Sequence, residues 1–260
     1  MSLDGLAIEA AAAPLRRHMA ARTRMAALPP TIRPKTRAEG YAIRARVVPG
    51  PIIGWKIAAT NVAGQRHINV DGPLVGRYQP DMVLPDGAEV SLRGNAMLVA
   101  EPEFVFTLAG DLAPRDAAYT QAEVMDAVAD LRLGIEVPDS RFADFTAAGG
   151  PQLIADNACA LSFVLGPVAE DWRGLDLAAA GCLAKVGTRY AREGIGANVL
   201  GDPRIALTWM VNEMTRLGTT LRAGQFVTTG TCATPLAIQP GDEVHVDFGR
   251  LGMVRVRFVE

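Results

Sequence analysis

The sequence predicts an α+β fold in which a mainly helical first 50 residues precede a strand-rich remainder. Three observations carry this reading. Alanine-rich and amphipathic runs occupy residues 6–47, strand-like runs with turns begin after Pro51, and residues 225–260 break into four short apolar runs separated by Gly and Pro. Closely spaced runs of that kind point to antiparallel pairing rather than a doubly wound parallel sheet.

Taken in order, Leu6 to Leu28 reads as one or two surface helices interrupted near Pro14, because proline removes a backbone donor. A proline-rich connector leads to a helix carrying Tyr41, Ile43 and Val47. "IIGWKIA" is the first strong strand, and Pro80-Asp81 and Pro85-Asp86-Gly87 mark turns before a strand that starts near Ala96. Thr120 and Glu123 stand at capping-box spacing, and Val124, Val128 and Leu131 at helical spacing, which predicts an amphipathic helix over 120–131 and a strand over 133–137. Asp202 and Pro203 open a further helix that Gly218 stops. The organisation read from this pattern is a helical region, 1–50, packed on a main domain, 51–260.

Composition excludes several classes. The net charge is −2 and the arginines are scattered among acids rather than gathered in a stripe, so nucleic acid is not the expected partner. No run approaches the roughly 18 apolar residues of a membrane span. Cys159, Cys182 and Cys232 are far apart in sequence and form no CxxC pair, which suits a reducing compartment. A soluble, cytoplasmic protein is expected.

The chemistry concentrates in "MLVAEPEFVFTL", residues 97–108. Glu101 and Glu103 are two apart on a strand and so leave one face about 6.6 Å apart. An exposed edge that merely carries acids explains an isolated ExE, and Pro102 favours an edge or a bulge. Here, however, Val99 and Val105 share the glutamate face while Leu98, Phe104 and Phe106 take the other, so neither side reads as wet. Two like charges in such a place call for a cation, and a hard divalent ion takes carboxylate oxygens. Glu136, directly after the helix that returns the chain, is the best third ligand, with Asp139 and Asp156 as competitors. His18, His67 and His245 have no zinc-like spacing. Lys56, one of only three lysines, lies among apolar residues in "PIIGWKIAAT"; a lysine stem can simply cover apolar surface there.

"GWK" at 54–56, "AEPEFVF" at 100–106, "GIEVPDSR" at 134–141, "ADNA" at 155–158, "LGDP" at 200–203, and "TTGT" with "PGDEV" near the C-terminus together resemble the 2-keto-4-pentenoate hydratase and 4-oxalocrotonate decarboxylase group of the fumarylacetoacetate hydrolase superfamily. The likeness runs from about Thr31 to the C-terminus. It implies a mixed β-roll with flanking helices, and a Mg²⁺ or Mn²⁺ ion on Glu101, Glu103 and Glu136. It also implies substrate-side roles for Lys56 and Asp81. Cys159 stands where many hydratases carry serine, which puts it among the candidate catalytic positions, and Asp202 stands where relatives often carry histidine.

The activity implied is a hydro-lyase that adds water to a 2-hydroxy-2,4-dienoate to give a 4-hydroxy-2-oxo acid, with the divalent metal stabilising an enolate or dienolate. Decarboxylation of a 2-oxo-3-enedioate draws on the same electronics, and Arg141 is a candidate for its distal carboxylate or for a structural ion pair. Acylpyruvate hydrolysis typically uses a third-ligand aspartate and a histidine-glutamate pair, and no segment here matches the latter. A catalytically silent small-acid-binding protein is the non-enzymatic alternative. The resemblance further implies a homo-oligomer and association with a paralogous decarboxylase or an upstream pathway enzyme.

Overall fold

The structure, a computed structural model, describes residues 3–260. Helix α1 (Gly5–Ala21) is capped by Asp4, whose side chain accepts from the Ala7 N–H. It runs through Pro14 unbroken and ends at Arg22 in the left-handed region, so the expected interruption is absent and residues 22–28 belong to the connector. Helix α2 (Arg37–Val47) has a full capping box between Thr36 and Glu39 and buries Tyr41, Ile43 and Val47. Then come β1 (Gly54–Ala58), α3 (Val62–His67), β2 (Leu74–Tyr78), β3 (Val83–Pro85), β4 (Glu89–Ser91) and β5 (Val99–Leu108). After these follow α4 (Gln121–Asp126), β6 (Val128–Val137), α5 (Gly150–Ala155), β7 (Ser162–Val168), β8 (Gly181–Val186) and β9 (Tyr190–Ile195). The chain closes with α6 (Pro203–Arg216), β10 (Phe226–Thr231), β11 (Leu236–Ala237), β12 (Glu243–Asp247) and β13 (Met253–Val259).

The strands form two mixed sheets, the β-roll of the fold. One runs β2-β1-β10-β5-β6-β7-β3, with β11 on the end of β5; the other runs β4-β13-β12-β8-β9. Most neighbours are antiparallel, but β1 with β10, β3 with β7, and β4 with β13 are parallel. Phe104, on the face of β5 away from the glutamates, packs edge-on against Phe248 at 5.2 Å beside the second sheet. The core thus lies between the sheets. Among the described residues, no helix is long and apolar enough to cross a membrane.

The helix expected over 120–131 is corrected: it stops at Asp126, because Leu131, Leu133, Ile135 and Val137 also alternate, and pairing with both β5 and β7 makes residues 128–137 a strand. Of the edge or bulge that Pro102 favours, the structure has the bulge: Pro102 lies in the middle of the sheet, and the register shift between Thr228 and Thr231 of β10 spares it a ladder bond. Cys182 and Cys232, 50 residues apart in sequence, are buried with their sulfurs 3.5 Å apart as free thiols.

Candidate metal centre and active site

The β5–β6 register builds the centre. Glu101 lies directly opposite Glu136, and Glu103 opposite Gly134, so all three carboxylates leave one face of two adjacent strands. One oxygen from each fits within 4.8 Å of the others. The floor is aromatic: Tyr78, Phe163 and Phe226 pack at centroid distances of 5.4–5.9 Å. The Tyr78 hydroxyl donates to Glu136 Oε1 at 2.9 Å, and the Gly230 N–H donates to Glu103 Oε2 at 2.7 Å. Gly230 has φ +96°, and a Cβ there would lie 2.1 Å from Thr60 Oγ1, so glycine is what lets this backbone donor approach.

Lys56 Nζ lies 2.6 Å from Glu136 Oε1, with both side chains sealed from solvent. Burial opposes the Lys56 charge, but Glu136, Glu101 and Cys159 outweigh it and hold its pKa above the ordinary value. Burial, reinforced by Glu136 and partly offset by Lys56, pushes the Glu101 carboxyl up to about 7. Burial also pushes Glu103 well up, with Glu136 and Glu101 adding to it.

Three carboxylates against one ammonium leave two uncompensated negative charges when all are ionised, which a divalent cation would cancel. Glu103 Oε1 is buried without a hydrogen-bond partner, the state of an oxygen awaiting a ligand. An all-oxygen donor set with one such atom fits a hard cation such as Mg²⁺.

Above the centre opens a cavity of about 720 Å³. Lys56, Glu101, Cys159 and Thr231 line its inner part, and the ends of β1 and α3 line its outer part. One wall is the left-handed turn Asn157-Ala158-Cys159, with φ of 56°, 50° and 64°. Asn157 pins it: its Oδ1 accepts from the Arg77 N–H at 2.7 Å and its Nδ2 donates to the Arg77 carbonyl at 2.9 Å. A Cβ at Gly76 would meet the Asn157 carbonyl oxygen at 2.4 Å and Lys56 Cγ at 2.7 Å, so β2 needs glycine where turn and lysine converge.

The structure therefore brings together Lys56, Glu101, Glu103, Glu136 and Cys159. It does not bring Asp81 to them. Because β2 runs antiparallel to β1, its C-terminal end leads away from the cavity, and Asp81 is exposed in a 3₁₀ turn there; Tyr78 reaches Glu136 instead. Asp139 is taken by Arg24 and the Ala96 N–H. Asp156 is taken by Ser140 and Arg141, and Arg141 also donates to the Asp139 carbonyl, so neither aspartate is a ligand and Arg141 is a buried structural partner. Sequence reasoning missed Tyr78, Asn157 and Gly230. Alternation in "LVGRY" puts Tyr78 on the Gly76 face, but nothing local shows which strand it meets.

Buried carboxylates in excess over cations, on one face of an α+β roll, form a cluster that could hold a hard divalent ion. Residues 58–259 match the fumarylacetoacetate (FAA) hydrolase C-terminal family, and the chain belongs to that family. It is 34% identical to the 2-keto-4-pentenoate hydratase of Paraburkholderia xenovorans (strain LB400) over 208 residues, 80% of this chain and 76% of that protein. It is 30% identical to the 2-hydroxyhexa-2,4-dienoate hydratase of Comamonas testosteroni, covering 85% and 83% of the two chains. Its fold superposes on the 4-oxalocrotonate decarboxylase of Pseudomonas putida G7, solved with magnesium and adipate, with TM-score 0.90 over 99% of each chain at 24% identity.

Proposed function

We propose that this enzyme is a divalent-metal-dependent hydro-lyase that adds water to a 2-hydroxy-2,4-dienoate to give a 4-hydroxy-2-oxo acid. The observation that carries the reading is the convergence of Glu101, Glu103 and Glu136 on one face, with Glu103 Oε1 unpartnered, beside a buried Lys56 at the base of a mainly apolar cavity. The hydratase names of the sequence relatives support it.

Mg²⁺ is the favoured cation: Glu101, Glu103 and Glu136 would hold it, and it would supply Lewis-acid charge to the oxygens of the substrate head. Lys56, kept as an ammonium, binds the anionic head and offsets negative charge that develops on the C2 oxygen. Tyr78 and Gly230 hold Glu136 and Glu103 in place. The Cys159 thiol is pushed up to about 12 by burial and then Asp156, so it stays neutral and serves as a weak donor rather than a nucleophile.

Decarboxylation of a 2-oxo-3-enedioate needs a counter-charge for the distal carboxylate. Among the described residues, Lys56 is the only lysine or arginine lining the cavity. The test is a proton NMR time course of freshly generated 2-hydroxypenta-2,4-dienoate with Mg²⁺ or with excess EDTA. Metal-dependent appearance of 4-hydroxy-2-oxopentanoate supports hydration. No enzyme-dependent change on that acid, with CO₂ released from 2-oxo-hex-3-enedioate, would replace it with decarboxylation.

A further inference from the structure

The cavity is longer than a five-carbon substrate needs. Lys56 pairs with Gly76 and Ala58 with Leu74, so Leu74 stands two strand residues, about 6.6 Å, beyond the level of the lysine. The four carbon–carbon bonds of a pentadienoate span only about 5 Å. A five-carbon acid whose head lies at Lys56 and Glu101 therefore ends near Leu74, while the cavity continues to Ile68, Phe145 and Leu153. At about 720 Å³ it falls in the range of pockets that enclose drug-sized ligands, roughly 300–1,000 Å³.

That outer compartment is apolar where it is deepest. Ile68 and Phe145, half-buried, give the cavity its open apolar surface, and Leu74 and Leu153, which also border it, are buried. Polar groups gather toward the rim: Asn61 caps α3 through the Gly64 N–H, and the His67 ring meets the Phe145 ring edge-on at 5.8 Å. Helix α3 buries no residue of its own, so one side of the compartment is a short helix with little packing to lose when a ligand lies against it.

Resting on the hydratase reading for the head group, we infer that the preferred substrates carry an uncharged alkyl or aryl substituent beyond C5. Leu74, Leu153, Ile68 and Phe145 enclose that substituent. Burying apolar surface there raises affinity by roughly fourfold per methylene, whereas a terminal carboxylate is desolvated among residues that include no lysine or arginine.

Two measurements on the full-length protein with Mg²⁺ test this. Calorimetric dissociation constants for saturated 2-oxo acids (2-oxopentanoate, 2-oxohexanoate, 2-oxooctanoate and 2-oxoadipate) read the compartment without turnover. We expect affinity to tighten roughly fourfold per methylene up to 2-oxooctanoate, to weaken at least tenfold for 2-oxoadipate relative to 2-oxohexanoate, and to lose most of the chain-length gradient in Phe145→Ala. A flat gradient, or 2-oxoadipate binding as tightly as 2-oxohexanoate, would overturn the inference. The kcat/KM values for 2-hydroxypenta-2,4-dienoate and its 5-alkyl homologues then separate the two readings. Turnover of the five-carbon acid with a flat gradient removes the compartment and keeps hydration. A steep binding gradient with no hydration of any homologue keeps the apolar compartment and removes the hydratase reading.

Discussion

Lys56 and Glu136 meet at 2.6 Å although their strands, β1 and β6, are three places apart in the sheet. In a flat sheet those strands would stand about 14 Å apart with parallel side chains, beyond the joint reach of a lysine and a glutamate. The roll's curvature turns the two faces toward each other and seals the pair from solvent. An ammonium held this way is fixed beside the carboxylates without occupying the unpartnered oxygen of Glu103.

Lys56→Met tests what that ammonium does. It removes one positive charge from beside three carboxylates, so Mg²⁺ binding should be retained or tightened, while kcat for the dienoate should fall at least about a hundredfold. Lys56→Arg should not restore the rate, because a planar guanidinium does not fit the buried site of a compact ammonium. Steady-state kinetics with circular dichroism and metal titration would check this. A folded Lys56→Met with kcat within a few-fold of wild type would leave the lysine only a structural partner of Glu136.

The metal reading has a test that needs no substrate. In wild type, Mg²⁺ at a hundred times its Kd should stabilise the fold by about 2.7 kcal/mol, and EDTA should abolish the gain. Glu103→Gln keeps the shape and an acceptor for the Gly230 N–H but removes one of the crowded charges. The metal-free variant should be as stable as wild type or more so, and its Tm should no longer respond to Mg²⁺. An undiminished Mg²⁺ shift in this variant would remove Glu103 from the ligand set.

The α+β class was readable from the helical start and the closely spaced strands after it, and the β-roll was implied by the family resemblance; the carboxylate pair was readable because a strand's period of two puts Glu101 and Glu103 on one face, and the flanking valines and phenylalanines declare that neither face is wet. Glu136 was readable as the one acid in the strand expected over 133–137. The missing parts depend on sheet order and curvature, which leave no local mark. Asp81 was assigned by resemblance, yet the direction of β2 carries it to the opposite end, and Tyr78 reaches the centre only because the roll closes over Glu136. Residues 128–131 misled because Val128 and Leu131 fit helical spacing as well as the strand that tertiary pairing selects.

The left-handed turn is a second support of the cavity. Asn157→Ala removes both hydrogen bonds to Arg77 and leaves that backbone N–H and carbonyl unpaired on the turn side, at a cost of about 2–4 kcal/mol. Ala158→Gly should act oppositely. Alanine at φ 50° carries strain that glycine lacks, and the gain should reach up to about 1 kcal/mol. Denaturant unfolding of the two variants checks both signs, and a destabilised Ala158→Gly would contradict the strain argument.

Cys159 provides the pH prediction. Its folded pKa of about 12 lies above the unperturbed 9.0, chiefly through burial, so the folded state holds the thiol proton more tightly than the unfolded chain does. The corresponding stability is fully present below about pH 9 and is lost as pH rises toward 12. Cys159→Ser has no thiol to titrate there, so the difference between wild-type and variant stability should drift against wild type across that window. At pH 8 the native thiolate fraction would be about one in ten thousand, and iodoacetamide should label Cys159 only after denaturation. A neutral thiol is not a nucleophile, so Cys159→Ser should hydrate the dienoate within about tenfold of wild type. Rapid native alkylation at pH 8, together with abolished turnover in Cys159→Ser, would instead make this cysteine a reactive catalytic group.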